Sequence, residues 1–335
     1  MRLGLAGVGR IGSFHAATLA GLPSVGSLVL ADADPARALA VAETLGSQVQ
    51  AVATVEALFD AGLDGLVIAA PTAAHAPLLL GAIEAGLPVF CEKPVAADLE
   101  GTLAVLAKIR DSEVPVQIGF QRRFDAGYTA ARAAVASGEL GWVHTLRAGT
   151  LDPAPPPAEY LPSSGGIFRD CSVHDFDAVR WVTGREVVEV YALGANHGAA
   201  FFAEAGDVDA VSALLTLDDG GFAHVMAGRY NARGYDVRLE LLGSLDSISV
   251  GLDDRLPLRS VEPGAVFPAG VPYPGFMARF LPAYVAELTH FAAVVAGRAQ
   301  TTCTVADALE AFCLAEACDL SRREHRPVTL AEVRP

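Results

Sequence analysis

The chain has 335 residues, 52% of them hydrophobic and 19% charged, a globular composition too long for one ordinary core, so two domains are expected. Its formal net charge of −15 argues against nucleic acid or an anionic membrane as partner, since both need a basic surface. The cysteines (91, 171, 303, 313 and 318) lack a metal-type repeat, the N-terminus lacks signal-peptide anatomy, and no apolar run approaches the ~18 residues of a membrane span; reduced thiols and a cytoplasmic location are expected.

Residues 2–6 read as a short apolar strand, followed at once by Gly7-Val8-Gly9-Arg10-Ile11-Gly12 and an Ala-rich helical stretch. In a strand–turn–helix of this kind the first glycine permits the tight turn, the second lets backbone approach a pyrophosphate, and the third lets helix pack on strand. The pyrophosphate would sit on the helix N-terminus, whose free N–H groups favour an anion. Gly7, Gly9, Arg10, Ile11 and Gly12 are therefore expected at a dinucleotide. About twenty residues on, as this fingerprint requires, a second strand ends at Asp32. Its carboxylate would accept from a ribose 2′-OH and repel a 2′-phosphate. Residue 33 is Ala, and Arg37, the nearest cation, is expected to face out from the next helix, so NAD is favoured over NADP. Asp34 reads as the cap of that helix, with Pro35 at its first position.

Strand-like and helix-like segments then alternate: strands at 49–53, 65–70, 89–91 and 114–118, helices at 54–61, 74–85 and 97–110. Such alternation implies a parallel sheet covered on both faces. Pro71 and Thr72 follow the fourth strand and are placed to border the nicotinamide end of the cofactor. His75 reads as a helix-start or surface histidine. Phe90-Cys91-Glu92-Lys93-Pro94 puts Glu92 and Lys93 where the fifth strand ends, the edge at which open α/β sheets bind ligands, and both are expected to contact the cofactor. Pro94 restricts Lys93 to extended backbone. An NAD-binding Rossmann domain over 1–119 is expected, with 120–335 as a second domain.

Beyond residue 119, a helix is expected at 126–137 and a long strand at 142–150. Asp152-Pro153-Ala154-Pro155-Pro156-Pro157 reads as a loop. Strands at about 187–195, 208–217, 222–230, 235–242 and 246–250, linked by turns such as Asp218-Asp219-Gly220-Gly221, imply a mainly antiparallel sheet. With helices at 276–297 and 304–320, the second domain reads as α+β carrying a large open sheet.

Between loop and sheet lies Asp170-Cys171-Ser172-Val173-His174-Asp175-Phe176-Asp177. On a helix, Asp170, His174 and Asp177 would share one face. A histidine titrates near neutral pH and suits proton transfer, and a carboxylate beside it fixes its tautomer. A helix N-terminus rich in Asp for dipole reasons accounts equally for Asp175 or Asp177. A metal would need further ligands from elsewhere, and no H-E-x-x-H pattern occurs, so none is expected. The remaining histidines, His15 among them, read as surface or satisfied side chains.

Together, Gly7–Gly12, Phe90-Cys91-Glu92-Lys93-Pro94 and Asp170-x-x-x-His174 make the chain resemble the glucose-fructose oxidoreductase / inositol dehydrogenase family over nearly its whole length. Residues 116–128 (VQIGFQRRFDAGY) and Gly234-Tyr235-Asp236 look like its myo-inositol dehydrogenase branch. The resemblance implies an NAD-dependent oxidoreductase acting on a secondary hydroxyl of a cyclic polyol or sugar, inositol foremost. It assigns catalysis to Lys93, Asp170 and His174, with His174 as base, Lys93 stabilising charge, and Asp170 partnering His174 or a substrate hydroxyl. It makes 120–335 the substrate-binding and oligomerisation domain, with Gln121, Arg122, Asp152, Asp177 and Tyr235 as candidate substrate contacts, and implies homo-oligomers, dimers or tetramers, through the open sheet face. Segment 151–168 matches no pattern of the family, and Gln121 is polar where the inositol branch is apolar. An NAD-dependent glycosidase, a redox-inert NAD-binding sensor and a keto-sugar or imine reductase are the alternatives within the same family.

Overall fold

Six strands, β1 (Arg2–Ala6), β2 (Ser27–Ala31), β3 (Val49–Ala51), β4 (Gly65–Ile68), β5 (Val89–Glu92) and β6 (Val116–Gly119), pair wholly in parallel in the order β3-β2-β1-β4-β5-β6. The computed structural model describes residues 1–334. These strands are almost continuously apolar because helices cover both faces: Leu3, Leu5, Leu28, Leu30, Leu66, Val67 and Phe90 are fully buried or nearly so. The crossovers are α1 (Arg10–Ala20), α2 (Pro35–Leu45), α3 (His75–Glu84) and α4 (Leu99–Arg110). Asp34 caps α2 by accepting from the Ala36 N–H at 3.1 Å, and Asp98 caps α4 through Gly101. The expected helix over 54–61 is only a single 3₁₀ turn, Glu56–Leu58. Strand order reverses between β1 and β4, which makes their carboxyl ends the switch point where such sheets bind ligands.

The second sheet has seven strands: β7 (Val143–Leu151), β8 (Val187–Ala195), β9 (Ala210–Leu217), β10 (Phe222–Gly228), β11 (Asp236–Gly243), β12 (Ser247–Val250) and β13 (Val328–Thr329). Their order is β12-β11-β7-β10-β9-β8-β13. Every pairing is antiparallel except β7 with β10, which run parallel with Leu151 opposite Gly228. The β9–β10 turn is the expected hairpin, with Gly220 at a φ of 86° that its missing side chain tolerates. The remaining helical elements are α5 (Ala126–Ser137), α6 (Leu161–Ser164), a π turn at Phe168–Ser172, α7 (Val173–Thr183), α8 (Phe201–Glu204), α9 (Phe276–Val295) and α10 (Val305–Glu324). Alternation along the strands buries Leu146, Ala213, Leu215, Ala223 and Val225 on one face. On the other it leaves Tyr191, Leu193, Leu214 and Phe222 exposed.

The chain forms two compact units, Met1–Gln121 with Pro282–Leu309, and Arg122–Leu281 with Glu310–Pro335. The first is therefore discontinuous, where a single break near 119 was expected. Its added segment carries a helical apolar stripe, Tyr284, Leu288, Phe291 and Val295, spaced i, i+4, i+7, i+11. Leu288 and Phe291 are fully buried in the cluster that holds Leu3, Leu5, Leu28 and Phe90, and the rings of Phe90 and Phe291 lie 5.9 Å apart. No described helix is long and apolar enough to cross a membrane, and the five cysteines are buried and free of disulfides.

Candidate active site

In the first unit the predicted cofactor residues gather at the carboxyl edge of the parallel sheet. Gly7 follows β1 with a φ of 90°, and a Cβ there would fall 2.6 Å from the Ala70 backbone. A Cβ at Gly12 would fall 1.9 Å from the Gly7 carbonyl oxygen, so helix and strand pack as closely as expected. Gly9 is exposed, and a Cβ there would meet nothing within 4 Å. Gly9 also starts α1 without a side-chain cap, and no acid occupies the first turn of that helix. The open space at Gly9 and the uncapped helix start fit a pyrophosphate. Asp32 ends β2; its Oδ2 accepts from the Val8 N–H at 2.8 Å and its Oδ1 from the Asp34 N–H at 2.9 Å. These bonds aim a nearly buried carboxylate at the loop and leave lone pairs for a ribose diol. Arg37, expected to face away, instead reaches back to within 3.3 Å of Asp32 Oδ1.

Pro71 and Thr72 follow β4, and Glu92 and Lys93 end β5 on the same edge. Two histidines hold these ends. His15, buried on α1, places Nε2 2.6 Å from Glu92 Oε1. That contact takes up an oxygen of Glu92, which was expected to serve the cofactor. His75 starts α3 as expected but is buried, not on the surface. Its Nδ1 lies 2.6 Å from the Pro94 carbonyl oxygen and its Nε2 2.8 Å from that of Ala70. It thus ties the residue before Pro71 to the residue after Lys93. Lys93 itself is half-buried.

The second unit holds the other predicted residues. Because Leu151 pairs with Gly228 in parallel, the next residues, Asp152 and Arg229, come side by side. Arg229 is buried, at 3% side-chain exposure. It donates from Nη1 to Asp152 Oδ2 at 2.8 Å and from Nη2 to Asp170 Oδ2 at 2.7 Å. Burial opposes its charge, but Cys171 and the two carboxylates outweigh burial and hold the guanidinium above its ordinary value. The Tyr160 hydroxyl donates to Asp170 Oδ1 at 2.9 Å. His174, half-buried, lies in the first turn of α7, just past the π turn that carries Asp170.

Asp170, His174 and Asp177 do not form one continuous α-helical face. The i+5 geometry of the π turn shifts Asp170 off the α-helical repeat, and Asp177 goes to a different arginine. Arg123 donates from Nε and Nη2 to the buried Asp177 carboxylate, at 3.0 and 2.5 Å. Arg122 is likewise buried, donating to Asp175 Oδ1 at 2.6 Å and to the Thr150 hydroxyl, which in turn donates to Asp175 Oδ2 at 2.7 Å. Burial pushes Asp175 up, and Arg122 and Thr150 pull it back. Tyr235 is buried beside Phe276, and burial holds its phenol well above the ordinary value. Gln121 is buried too. Of the expected substrate contacts, then, Arg122 and Asp177 are held in buried ion pairs, and Asp152 keeps the most exposure, at 22% of its side chain. Arg229, Tyr160 and Asp175 were not singled out by sequence as members of this cluster; the one local hint was the density of acids at 170–177.

The chain is similar to known oxidoreductases over nearly its whole length. Residues 1–120 match the family model described as "Oxidoreductase family, NAD-binding Rossmann fold", and residues 128–249 match that of the GFO/IDH/MocA C-terminal domain. The chain is 40% identical over 297 residues to the myo-inositol dehydrogenase of Streptomyces leeuwenhoekii, covering 89% of each. It superposes on a myo-inositol dehydrogenase from Corynebacterium glutamicum with a TM-score of 0.90 at 36% identity, covering 100% of this chain and 99% of that one. The scyllo-inositol dehydrogenase of Lactobacillus casei, solved with bound NAD(H) and scyllo-inositol, gives 0.87 at 28% identity, covering 99% and 98%.

Proposed function

The chain belongs to the GFO/IDH/MocA oxidoreductase family, and from that premise we propose that it is an NAD-dependent dehydrogenase oxidising a secondary hydroxyl of a cyclic polyol, an inositol foremost. The observation that carries this reading is the placement of Lys93. It ends β5 on the sheet edge that also holds the Gly7–Gly12 loop and Asp32. An ammonium group there can serve the cofactor, but a protein that only binds a dinucleotide has no need of Lys93, Asp170 and His174 as a set, whereas alkoxide formation calls for a base and a charge-stabilising donor. When bound, NAD supplies the hydride acceptor. His174 takes the hydroxyl proton. Lys93 donates to the same hydroxyl oxygen and stabilises its developing charge. Asp170, held by Arg229 and Tyr160, accepts from a substrate hydroxyl. Gly7, Gly9, Arg10, Ile11, Gly12, Asp32, Pro71 and Thr72 hold the cofactor, and Asp152 is the favoured further substrate contact.

The same reading includes assembly into homo-oligomers through the seven-stranded sheet, supported by the uncovered apolar face of Tyr191, Leu193, Leu214 and Phe222. A cytoplasmic location goes with it, supported by five cysteines that form no disulfide. The test is NADH formation, followed by ultraviolet absorbance, with NAD and then NADP across inositols, hexoses, pentoses and sugar acids. An NAD-linked rate concentrated on inositols is expected. Silence across the panel from a chain that demonstrably binds NAD would overturn the assignment.

A further inference from the structure

In segment 151–168, Asp152 and Tyr160 both converge on Asp170. Asp152 does so through Arg229 and Tyr160 directly. We propose that Arg229 is the positioning residue of Asp170, and that Tyr160 is a specificity-determining residue at the same carboxylate. This inference rests on the dehydrogenase reading above.

The argument for Arg229 is one of geometry. A guanidinium presents its donors in a rigid planar fork, so binding two carboxylates at once fixes their relative orientation. Arg229 is buried and bridges Asp152 Oδ2 and Asp170 Oδ2 at 2.8 and 2.7 Å. Its own backbone is held by strand neighbours: its N–H donates to the Asp209 carbonyl at 2.9 Å, directly after β10 ends. The fork therefore projects from a rigid sheet and not from a loop. Asp170 Oδ2 is pinned by Arg229 and Oδ1 by Tyr160. With one anchor on each oxygen, the plane of the carboxylate is set before substrate arrives.

Tyr160 differs from Arg229 in being half open to solvent, at 42% exposure. Its ring is available to the apolar face of a sugar ring, and its hydroxyl already occupies one of the acceptor positions on Asp170 that a substrate hydroxyl would seek. Pro153, Pro155, Pro156 and Pro157 precede it and restrict the backbone that delivers it. Stereoisomers that differ in hydroxyl orientation will compete with Tyr160 to different extents. It thus acts on the ranking of substrates more than on the rate of the best one.

The test compares Asp170→Asn, Arg229→Gln, Arg229→Lys and Tyr160→Phe, with kcat, the KM for NAD and the KM for myo- and scyllo-inositol measured for each. Arg229→Gln is expected to lower kcat/KM for the polyol roughly 10- to 100-fold, the effect of a lost charge-assisted hydrogen bond, with the KM for NAD unchanged. Arg229→Lys restores part of the loss because it keeps the charge but not the fork. A merely structural Arg229 would raise both KM values together or lower only thermal stability, and either outcome overturns its positioning role. Tyr160→Phe is expected to change the ratio of kcat/KM between the two inositols by about threefold or more, the scale of one neutral hydrogen bond; an unchanged ratio overturns the specificity role. Asp170→Asn separates the two levels. If it is inactive while Arg229→Gln matches wild type, only the positioning inference falls. If Asp170→Asn is itself fully active, the catalytic reading falls with it.

Discussion

The cofactor cradle and the carboxylate–arginine cluster are assembled in opposite ways. In the first unit, Gly7, Gly9 and Gly12 lie within six residues, and each does its work through backbone geometry within the same strand–turn–helix. In the second, Asp152, Asp170 and Arg229 are brought together across 77 and 59 positions of chain, by one parallel strand pair and one π turn. A site made of sequence neighbours leaves its signature in the sequence. A site made by strand register does not, because shifting register by one residue turns a whole strand over without changing its composition. The cradle is also made largely of backbone, whereas the cluster is made of ionised side chains whose positions depend on one another.

The sharpest way to break this comparison is to remove the chemistry and leave the cradle. His174→Ala and Lys93→Ala are each expected to lower kcat by roughly 10²- to 10⁴-fold, the usual share of a general base or of one charge-stabilising donor. NAD affinity, measured by calorimetry on the intact chain, is expected to change little for His174→Ala, since the Gly7–Gly12 loop and Asp32 stay in place. A His174→Ala variant turning over at the wild-type rate would remove the proposed base.

Stability separates the two regions next. Arg122 and Asp175 are buried against each other with Thr150 closing the network, so Arg122→Ala strands a carboxylate in the interior. Breaking a buried pair on one side costs about 3–5 kcal/mol, to be read as a fall in the urea midpoint at constant slope. A loss of under ~1 kcal/mol, the range of surface pairs, would mean that Asp175 finds water or another partner on its own. Because Arg122 was expected as a substrate contact, the same variant also decides between a structural and a binding role. A structural arginine changes the midpoint with little change in the KM of whatever fraction stays folded.

How much was legible follows from the same distinction. The parallel sheet, the NAD loop, the Asp34 cap and the β9–β10 hairpin all rest on local periodicity or turn chemistry, and all are present. His75 was missed as a buried tie because its two acceptors, the Ala70 and Pro94 carbonyl oxygens, are backbone atoms with no residue signature. Arg229 was missed because hairpin logic makes β10 a neighbour of β9, while nothing local shows that its other neighbour is β7, some 70 residues earlier and parallel. Asp170 was placed on the α-helical face of His174 because nothing local marks the π turn at Phe168–Ser172, which breaks the i, i+4 count on which that face was drawn.

Arg37 gives the comparison its finest test, since it is the one place where the cradle too depends on an ion pair. Its Nη1 lies 3.3 Å from Asp32 Oδ1, on a side chain that is half exposed. While Asp32 is ionised, it offers acceptors to a ribose diol, repels a 2′-phosphate and keeps Arg37 engaged. Replacing Asp32 by Ala would free the cation but would also leave the Val8 N–H without its acceptor, so loss of cofactor binding in that variant would be ambiguous. Asp32→Asn keeps an oxygen for Val8 while removing the charge. It is expected to shift the ratio of kcat/KM for NADP over NAD by about tenfold towards NADP, the scale of one charge-assisted hydrogen bond. Arg37→Ala added to Asp32→Asn should take most of that gain away, since the gain needs a cation to receive the phosphate. If Asp32→Asn leaves the preference unchanged, the discrimination lies in the shape of the loop and not in its charge. The cradle would then be a matter of backbone alone.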